Sequence, residues 1–213
     1  MNHSTSGRLP GPLSSATGPA PAAVALSSAE AGLTHAEVAD AVARATEVVT
    51  PHHLLLAWAG SSAAEPRESP FSERTALLAA LPPRHAEELA AAAWPVVETG
   101  GRVHCARSCE PGTVVDELRA TRATDLVVRG DLLCPIRRTL ERELATGPIV
   151  TLAVFEGLQR DRDRGAEARR AALPALHAWL GSKLTTLWYA GEPADAETVT
   201  FFTRVGLPVR RLG

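Results

Sequence analysis

Two short apolar runs enclose a glycine and a charged segment in Thr124–Phe155, and this stretch constrains the fold most. The runs are Leu126–Val128 and Ile149–Val154. A loop is predicted to open at Gly130, and a helix is predicted over Pro135–Ala145. A buried strand, a glycine turn, a crossover helix and a second buried strand make the βαβ pattern of a parallel sheet. Ligands bind at the carboxyl ends of such strands, so we expect function in the loop that follows the first run.

Strands and helices also alternate in the residues before this stretch, as short apolar runs and amphipathic segments indicate. The predicted strands there are Ala22–Leu26, His53–Ala59 and Arg102–Ala106. The predicted helices are Thr34–Val48, Ser72–Leu81, Arg84–Val97 and Thr113–Ala120. The first helix is expected to open on a capping box, because Glu37 follows Thr34 by three residues. The sequence therefore predicts an α/β fold with a five-stranded parallel sheet and helices on both faces.

Composition divides the 213 residues into four parts. Residues 1–21 are rich in Ser, Gly and Pro and are expected to form a disordered leader. Residues 22–156 form the predicted α/β domain, and residues 157–165 form a charged linker. Residues 166–213 are predicted to be an α-β-α-β extension docked on the main sheet, with a truncated second copy of the domain as the alternative. The predicted elements of this extension are a helix at Ala166–Leu180 interrupted at Pro174, a strand at Leu184–Tyr189, a helix at Asp195–Val205 and a strand at Leu207–Arg211.

Charge and composition exclude several classes of partner. The formal net charge of −2 and an aromatic content of 4% argue against a nucleic-acid-binding surface. No run reaches the roughly twenty apolar residues that span a bilayer, so no membrane partner is expected. The three cysteines are too few for a disulfide framework, and we expect a cytoplasmic protein.

Four local motifs resemble those of the universal stress protein family, and the order of the elements in residues 22–155 is also similar. These motifs are His53–Ala59, Cys109–Leu118, Thr124–Gly130 and Gly147–Val154. The resemblance implies the wider fold of adenine-nucleotide α-hydrolases. It also implies a homodimer that pairs the last strand of each copy, which would be Ile149–Val154 here.

The ATP motif of that family is incomplete in this chain. The resemblance places Ser27 where ATP-binding members carry an aspartate at the end of the first strand. Gly130 matches the first glycine of the phosphate loop, but Leu133 stands at the second, and no Gly-Ser or Gly-Thr pair follows. The leading hypothesis is therefore a non-catalytic stress-response or regulatory protein without standard ATP binding and without a cofactor.

Two alternatives keep a ligand at this loop. The first is a nucleotide-binding switch for ATP or AMP with a remodelled phosphate loop, because arginine guanidinium groups bind phosphate well. Its candidate site residues are Ser27, Arg129, Gly130, Asp131, Arg137 and Arg138. The opposing interpretation is that Arg137 and Arg138 are solvated and pair with Glu141 and Glu143. The second alternative is an enzyme of the same wider fold group.

Cysteine chemistry is a further possibility at the same end of the sheet. Cys109 and Cys134 should both follow the carboxyl ends of strands, so they form a candidate redox pair. The opposing interpretation is two thiols without a special role. The histidines show no metal-ligand spacing with Cys, Asp or Glu, so no metal site is expected.

Overall fold

The structure is a computed structural model that describes residues 24–27, 32–34, 36–37, 69–82, 85–161 and 163–212. Residues 1–21 and the predicted strand His53–Ala59 lie outside these ranges, as does the predicted helix Thr34–Val48 apart from its start. That start has the expected capping box: the Thr34 backbone N–H donates to Glu37 Oε2 at 2.7 Å, and the Glu37 N–H donates to Thr34 Oγ1 at 3.2 Å.

A single sheet runs through the described residues, and its strands are predominantly parallel. The strands are Val24–Ser27 (β1), Gly32–Thr34 (β2), Ala76–Ala80 (β3), Arg102–Cys105 (β4), Asp125–Arg129 (β5), Thr186–Ala190 (β6) and Val209–Arg211 (β7). Their order across the sheet is β2-β1-β4-β3-β5-β6-β7. Only the β1–β2 pairing is antiparallel among the described pairings. The predicted α/β fold with a parallel sheet is therefore confirmed.

Helices cover both faces of this sheet. In chain order they are Ala86–Glu98 (α1), Pro111–Thr121 (α2), Gly130–Thr146 (α3), Ile149–Arg160 (α4), Ala166–Ala172 (α5), Pro174–Trp179 (α6) and Ala196–Arg204 (α7). One face packs against α1 through residues such as Leu77 and Val127. The other face packs against α2, α3 and α7 through residues such as Leu78 and Leu126. Because β3 and β5 are covered on both faces, their central residues are continuously apolar.

The prediction of a helix at Ser72–Leu81 is wrong, because residues Ala76–Ala80 form the central strand β3. Alanine and leucine favour helices, and that local preference carried the prediction. All five residues of β3 are buried, since β4 and β5 flank the strand and helices lie on both of its faces. Tertiary packing therefore overrides the local preference.

The prediction of a strand at Ile149–Val154 is also wrong, because these residues begin helix α4. Their β-branched composition favours a strand. The place beside β5 is occupied instead by β6, which pairs with β5 over five residues. The structure therefore has no strand at these residues to pair with a second copy, and the expected homodimer stays a prediction.

The loop predicted after Gly130 is absent as well, because α3 begins directly at Gly130 and includes Pro135. Proline at this position provides no N–H for the carbonyl of Asp131, four residues earlier. The helix nevertheless continues to Thr146, because Leu133, Leu140 and other apolar residues on one side of it are buried against the sheet.

The C-terminal residues complete the same sheet. Strand β6 pairs with β5, and β7 pairs with β6, so residues 166–212 pack as part of the main sheet. The predicted interruption of the helix at Pro174 separates α5 from α6. Among the described helices, none is both long enough and apolar enough to cross a bilayer.

Candidate functional site

The topology predicts one preferred place for a ligand. The chain leaves β3 towards β4 on one side, and it leaves β5 towards β6 on the other. Strands β3 and β5 are nevertheless neighbours and pair in parallel over residues 77–80 and 125–128. In doubly wound sheets a crevice opens at the carboxyl ends of two such strands, and ligands bind there.

A cavity of about 280 Å³ lies at this point. Its lining comes from the ends of β3, β4 and β5 and from the first turns of α3. The lining residues are Ala80, Pro82, Cys109, Arg129, Asp131, Leu132 and Pro135. The cavity thus combines apolar walls with one cation, one carboxylate and one thiol.

The charged groups of the cavity form a two-point ion pair. Arg129 Nε donates to Asp131 Oδ1 at 3.0 Å, and Arg129 Nη2 donates to Asp131 Oδ2 at 2.7 Å. Both side chains are accessible to solvent, with Arg129 32% and Asp131 61% exposed. A planar carboxylate on the guanidinium fork has the geometry with which arginine also holds a phosphate. In this structure, Asp131 occupies the position on Arg129 that an anionic ligand would take.

Gly130 lies beneath the loop that follows β6. A Cβ atom at this position would stand 2.1 Å from the carbonyl oxygen of Glu192 and 2.8 Å from the backbone nitrogen of Ala194. Only a residue without a side chain permits this approach. The glycine therefore has a packing role at the start of α3, where it lets the loop cover the helix.

The other predicted arginines do not line the cavity. Arg137 is buried on the core side of α3, and its Nη1 atom lies 2.7 Å from Glu197 Oε1 and 3.7 Å from Glu141 Oε1. The contact with Glu197 is an ion pair whose angles fall outside hydrogen-bond geometry. Arg138 is exposed on α3, one turn beyond Pro135. Of the three predicted arginines, Arg129 alone lines the cavity.

Ser27 is not brought to the cavity. Its strand β1 pairs with β4, where Ser27 is in register with His104. Strands β4 and β3 separate β1 from β5, and three sheet spacings amount to about 14 Å. The expected neighbourhood of Ser27 and Gly130 is therefore not found.

The three cysteines differ in environment. Cys109 lines the cavity, whereas Cys134 lies on α3 next to Pro135 and is not part of the lining. Burial raises the pKa of the Cys105 thiol to about 11, so this group stays protonated and unreactive at neutral pH. A redox pair between Cys109 and Cys134 stays a prediction. Within the described residues no cluster of His, Cys, Asp or Glu is suited to hold a metal ion.

A buried carboxylate fixes the loop that carries Cys109. Glu117 on α2 is almost fully buried and accepts hydrogen bonds from Arg107, from Nε at 2.6 Å and from the backbone N–H at 3.2 and 3.3 Å. His104 Nε2 lies 3.7 Å from the same carboxylate, while burial lowers the pKa of this imidazole. These contacts tie the residues after β4 to α2 and so position one wall of the cavity.

Sequence reasoning missed the part of the lining that follows β3. Ala80 and Pro82 were assigned to the end of a helix, so the carboxyl end of the central strand was not recognised. The available signal was the six-residue apolar run Ala76–Leu81, which ends at Pro82-Pro83 and has a length typical of a strand. Leu132 was missed because a loop was expected after β5, where the first turn of α3 lies.

No family model matches the sequence, and the search of curated proteins found no match. Solved structures with a similar fold include IdnL1 and McbA. IdnL1 aligns with 66% of this chain and 23% of its own, with 12% identity and a TM-score of 0.39. The amide bond synthetase McbA from Marinactinospora thermotolerans aligns with 88% of this chain and 56% of its own, with 13% identity and a TM-score of 0.47. The chain therefore spans less than two thirds of the length of either protein.

One expectation is corrected by this comparison. The sequence predicts a non-catalytic protein, whereas McbA is an amide bond synthetase and so an enzyme. Amide bond synthesis is the activity of McbA and is not assigned to this chain. The resemblance to universal stress proteins stays a prediction.

Proposed function

We propose that this chain binds a phosphorylated ligand of the mononucleotide class, such as AMP or ATP, in the cavity between the ends of β3 and β5. The supporting observation is that the cavity lies at the reversal point of the sheet and contains Arg129 at its rim. The proposal retains the carboxyl end of β5 as the binding site and replaces a glycine cradle by a guanidinium group.

Arg129 is available to a phosphate because its present partner is weakly held. Exposed ion pairs such as that of Arg129 with Asp131 contribute about 0.2–1 kcal/mol. A hydrogen bond from arginine to a phosphate contributes about 1.5–3 kcal/mol when water is largely excluded. A ligand seated in the cavity would therefore displace Asp131 with a net gain.

The apolar residues of the cavity suit the uncharged part of such a ligand. Ala80, Pro82, Leu132 and Pro135 offer flat aliphatic surface to a base or a ribose. A volume of about 280 Å³ is just below the usual range for ligand pockets, which begins near 300 Å³. This size favours a mononucleotide over a dinucleotide.

Asp131 should act as an internal competitor of the ligand. Its carboxylate occupies the Arg129 fork and would repel a phosphate that enters the cavity. When released from Arg129, the same carboxylate would be free to hold a divalent cation that accompanies a nucleotide. Binding without added metal should therefore strengthen when Asp131 loses its charge.

Equilibrium dialysis with AMP, ADP and ATP, without and with Mg²⁺, tests this proposal. We expect the wild-type protein to bind at least one of them and Asp131→Asn to bind it up to about fivefold more tightly without metal, since the competing pair is worth up to about 1 kcal/mol. Asp116→Asn is the matched control, because Asp116 forms a comparable exposed pair with Arg119 on α2. If the wild-type protein and Asp131→Asn both bound none of the three nucleotides, the proposal would be rejected.

Two further expectations belong with this proposal. A stress-response role, which the family resemblance implies, is tested by comparing survival of a deletion strain with that of its parent under starvation or oxidant. A cytoplasmic location is in keeping with three cysteines, which are too few for a disulfide framework, and fractionation of cells tests it.

A further inference from the structure

Helix α4 presents an apolar end to solvent. Ile149 is 81% and Val150 is 69% exposed, and no other large apolar side chain in the described ranges is exposed to this degree. The opposite side of the helix is buried through Phe155 and Leu158. Two adjoining exposed branched side chains at one helix end make an apolar surface without a partner among the described residues.

The exposed side of α4 is a continuous stripe. It comprises Ile149, Val150, Ala153, Glu156, Gly157 and Arg160, all of which are exposed. These positions follow the three- and four-residue spacing that places side chains on one face of a helix. Within this stripe Ile149 is the largest apolar side chain, and Gly157 is the position without a side chain.

Gly157 forms an open notch in the stripe. A Cβ atom built at this glycine meets no atom within 4 Å. Ile149 lies eight residues earlier, which is about 12 Å along the helix axis. When two copies of α4 cross in antiparallel orientation at Ala153, each Ile149 lies over the Gly157 of the other copy. A two-fold axis at Ala153 therefore places the Ile149 side chain of each copy over Gly157 of the other copy, as an isologous interface requires.

The charges on the stripe are compatible with the same arrangement. Glu156 would lie near Val150 of the second copy, at the positive amino end of its α4. Arg160 would lie near the negative carboxyl end of α3 in the second copy, which ends at Thr146. Each charge thus meets the helix end of opposite sign, whereas a parallel arrangement would place Glu156 beside Glu156.

We propose that the α4 stripe is a homodimer interface, formed by antiparallel crossing of two copies of this helix at Ala153. The occupant of the apolar surface is a second copy of this chain. Ile149 and Gly157 lie four residues before and four residues after Ala153 on one helix, which is the spacing that a two-fold axis at Ala153 needs. This interface uses the residues once expected to pair as strands, but it joins them as helices.

Sedimentation velocity of the full chain over a range of concentrations tests the dimer. We expect wild-type protein to sediment as a dimer, and we expect Ile149→Glu to raise the dimer dissociation constant about a hundredfold, since two buried isoleucine side chains are lost per dimer. Ala171→Glu, on the exposed side of α5, is the control for an added carboxylate and should leave the mass unchanged.

Gly157→Leu separates a specific interface from general stickiness. The substitution fills the notch and adds apolar surface, so non-specific association would strengthen while the proposed dimer would weaken at least tenfold. A leucine is also a better helix residue than glycine, so the variant should fold. A wild-type monomer at every concentration would overturn the proposal, and so would a dimer that both Ile149→Glu and Gly157→Leu leave unchanged. A monomer whose stripe is protected from hydrogen exchange by another segment of the chain would also overturn it.

Discussion

The glycine at the start of α3 provides a stringent test of how the candidate site is built. In Gly130→Ala the new methyl group would lie 2.1 Å from the carbonyl oxygen of Glu192, which is about 1.4 Å closer than the optimal contact distance of about 3.5 Å. The nearest atoms belong to the backbone of residues 192–194, so no side-chain rotation relieves the overlap. Overpacking of this kind costs about 1–3 kcal/mol, and we expect the free energy of unfolding to fall by that amount.

Urea unfolding followed by tryptophan fluorescence measures this change, and a thermal scan should show a melting temperature lower by about 2–12 °C. Gly112→Ala is the matched control, because Gly112 also lies in the first turn of a helix but has open space at its Cβ position. The control should be neutral or up to about 1 kcal/mol more stable, since alanine favours a helix. If Gly130→Ala were as stable as Gly112→Ala, the loop after β6 would not hold the start of α3 as described.

Three further expectations concern stability and reactivity. Burial lowers the pKa of His177 below its ordinary value of 6.5. The stability contributed by the neutral imidazole is therefore complete above that pH and declines as the pH falls towards the lowered pKa. The urea midpoint should drop on acidification, and it should drop less in His177→Gln. Trp188→Phe should lower the free energy of unfolding in urea by about 1–3 kcal/mol, because the indole N–H donates to the buried carboxylate of Asp125 at 2.9 Å. An unchanged midpoint would show that this hydrogen bond does not stabilise the fold. Iodoacetamide labelling, read by mass, should modify Cys109 before Cys105, whose pKa is about 11. Bound nucleotide should slow the reaction of Cys109, because Cys109 lines the cavity. Equal rates with and without nucleotide would place the ligand elsewhere.

Much of the architecture could be predicted from the sequence, where local pattern and tertiary environment agree. The run Leu126–Val128 lies within β5 because both faces of this strand are buried, and a strand covered on both sides has no polar alternation. Helix α2, predicted at Thr113–Ala120, extends over Pro111–Thr121, with Val114 and Leu118 buried as its periodicity requires.

Two segments could not be assigned from local pattern, because neighbouring elements decide their structure. Residues Ala76–Ala80 have helix-favouring composition, and Ile149–Val154 have strand-favouring composition, yet the structure has the opposite in each. The deciding factor is which segment lies beside β5. Strand β6, more than fifty residues later in the chain, takes that place and leaves Ile149–Val154 outside the sheet.

The candidate site could also be predicted only in part from the sequence. Arg129 and Cys109 follow strands that were correctly placed, and both line the cavity. Arg137 was expected near a ligand because α3 was assumed to begin at Pro135. Since the helix begins at Gly130, Arg137 is buried on its core side beside Leu133 and Leu140, where it pairs with α7.

The affinity of Arg129→Gln for nucleotide, compared with that of Arg138→Gln, tests the central claim most directly. Both substitutions remove one charge from the same part of the chain, but only Arg129 lines the cavity. For whichever of AMP, ADP or ATP the wild-type protein binds, equilibrium dialysis should show affinity about 10- to 150-fold weaker in Arg129→Gln and unchanged in Arg138→Gln, as the loss of about 1.5–3 kcal/mol requires. Equal affinity of the two variants would contradict the assignment of the phosphate to Arg129.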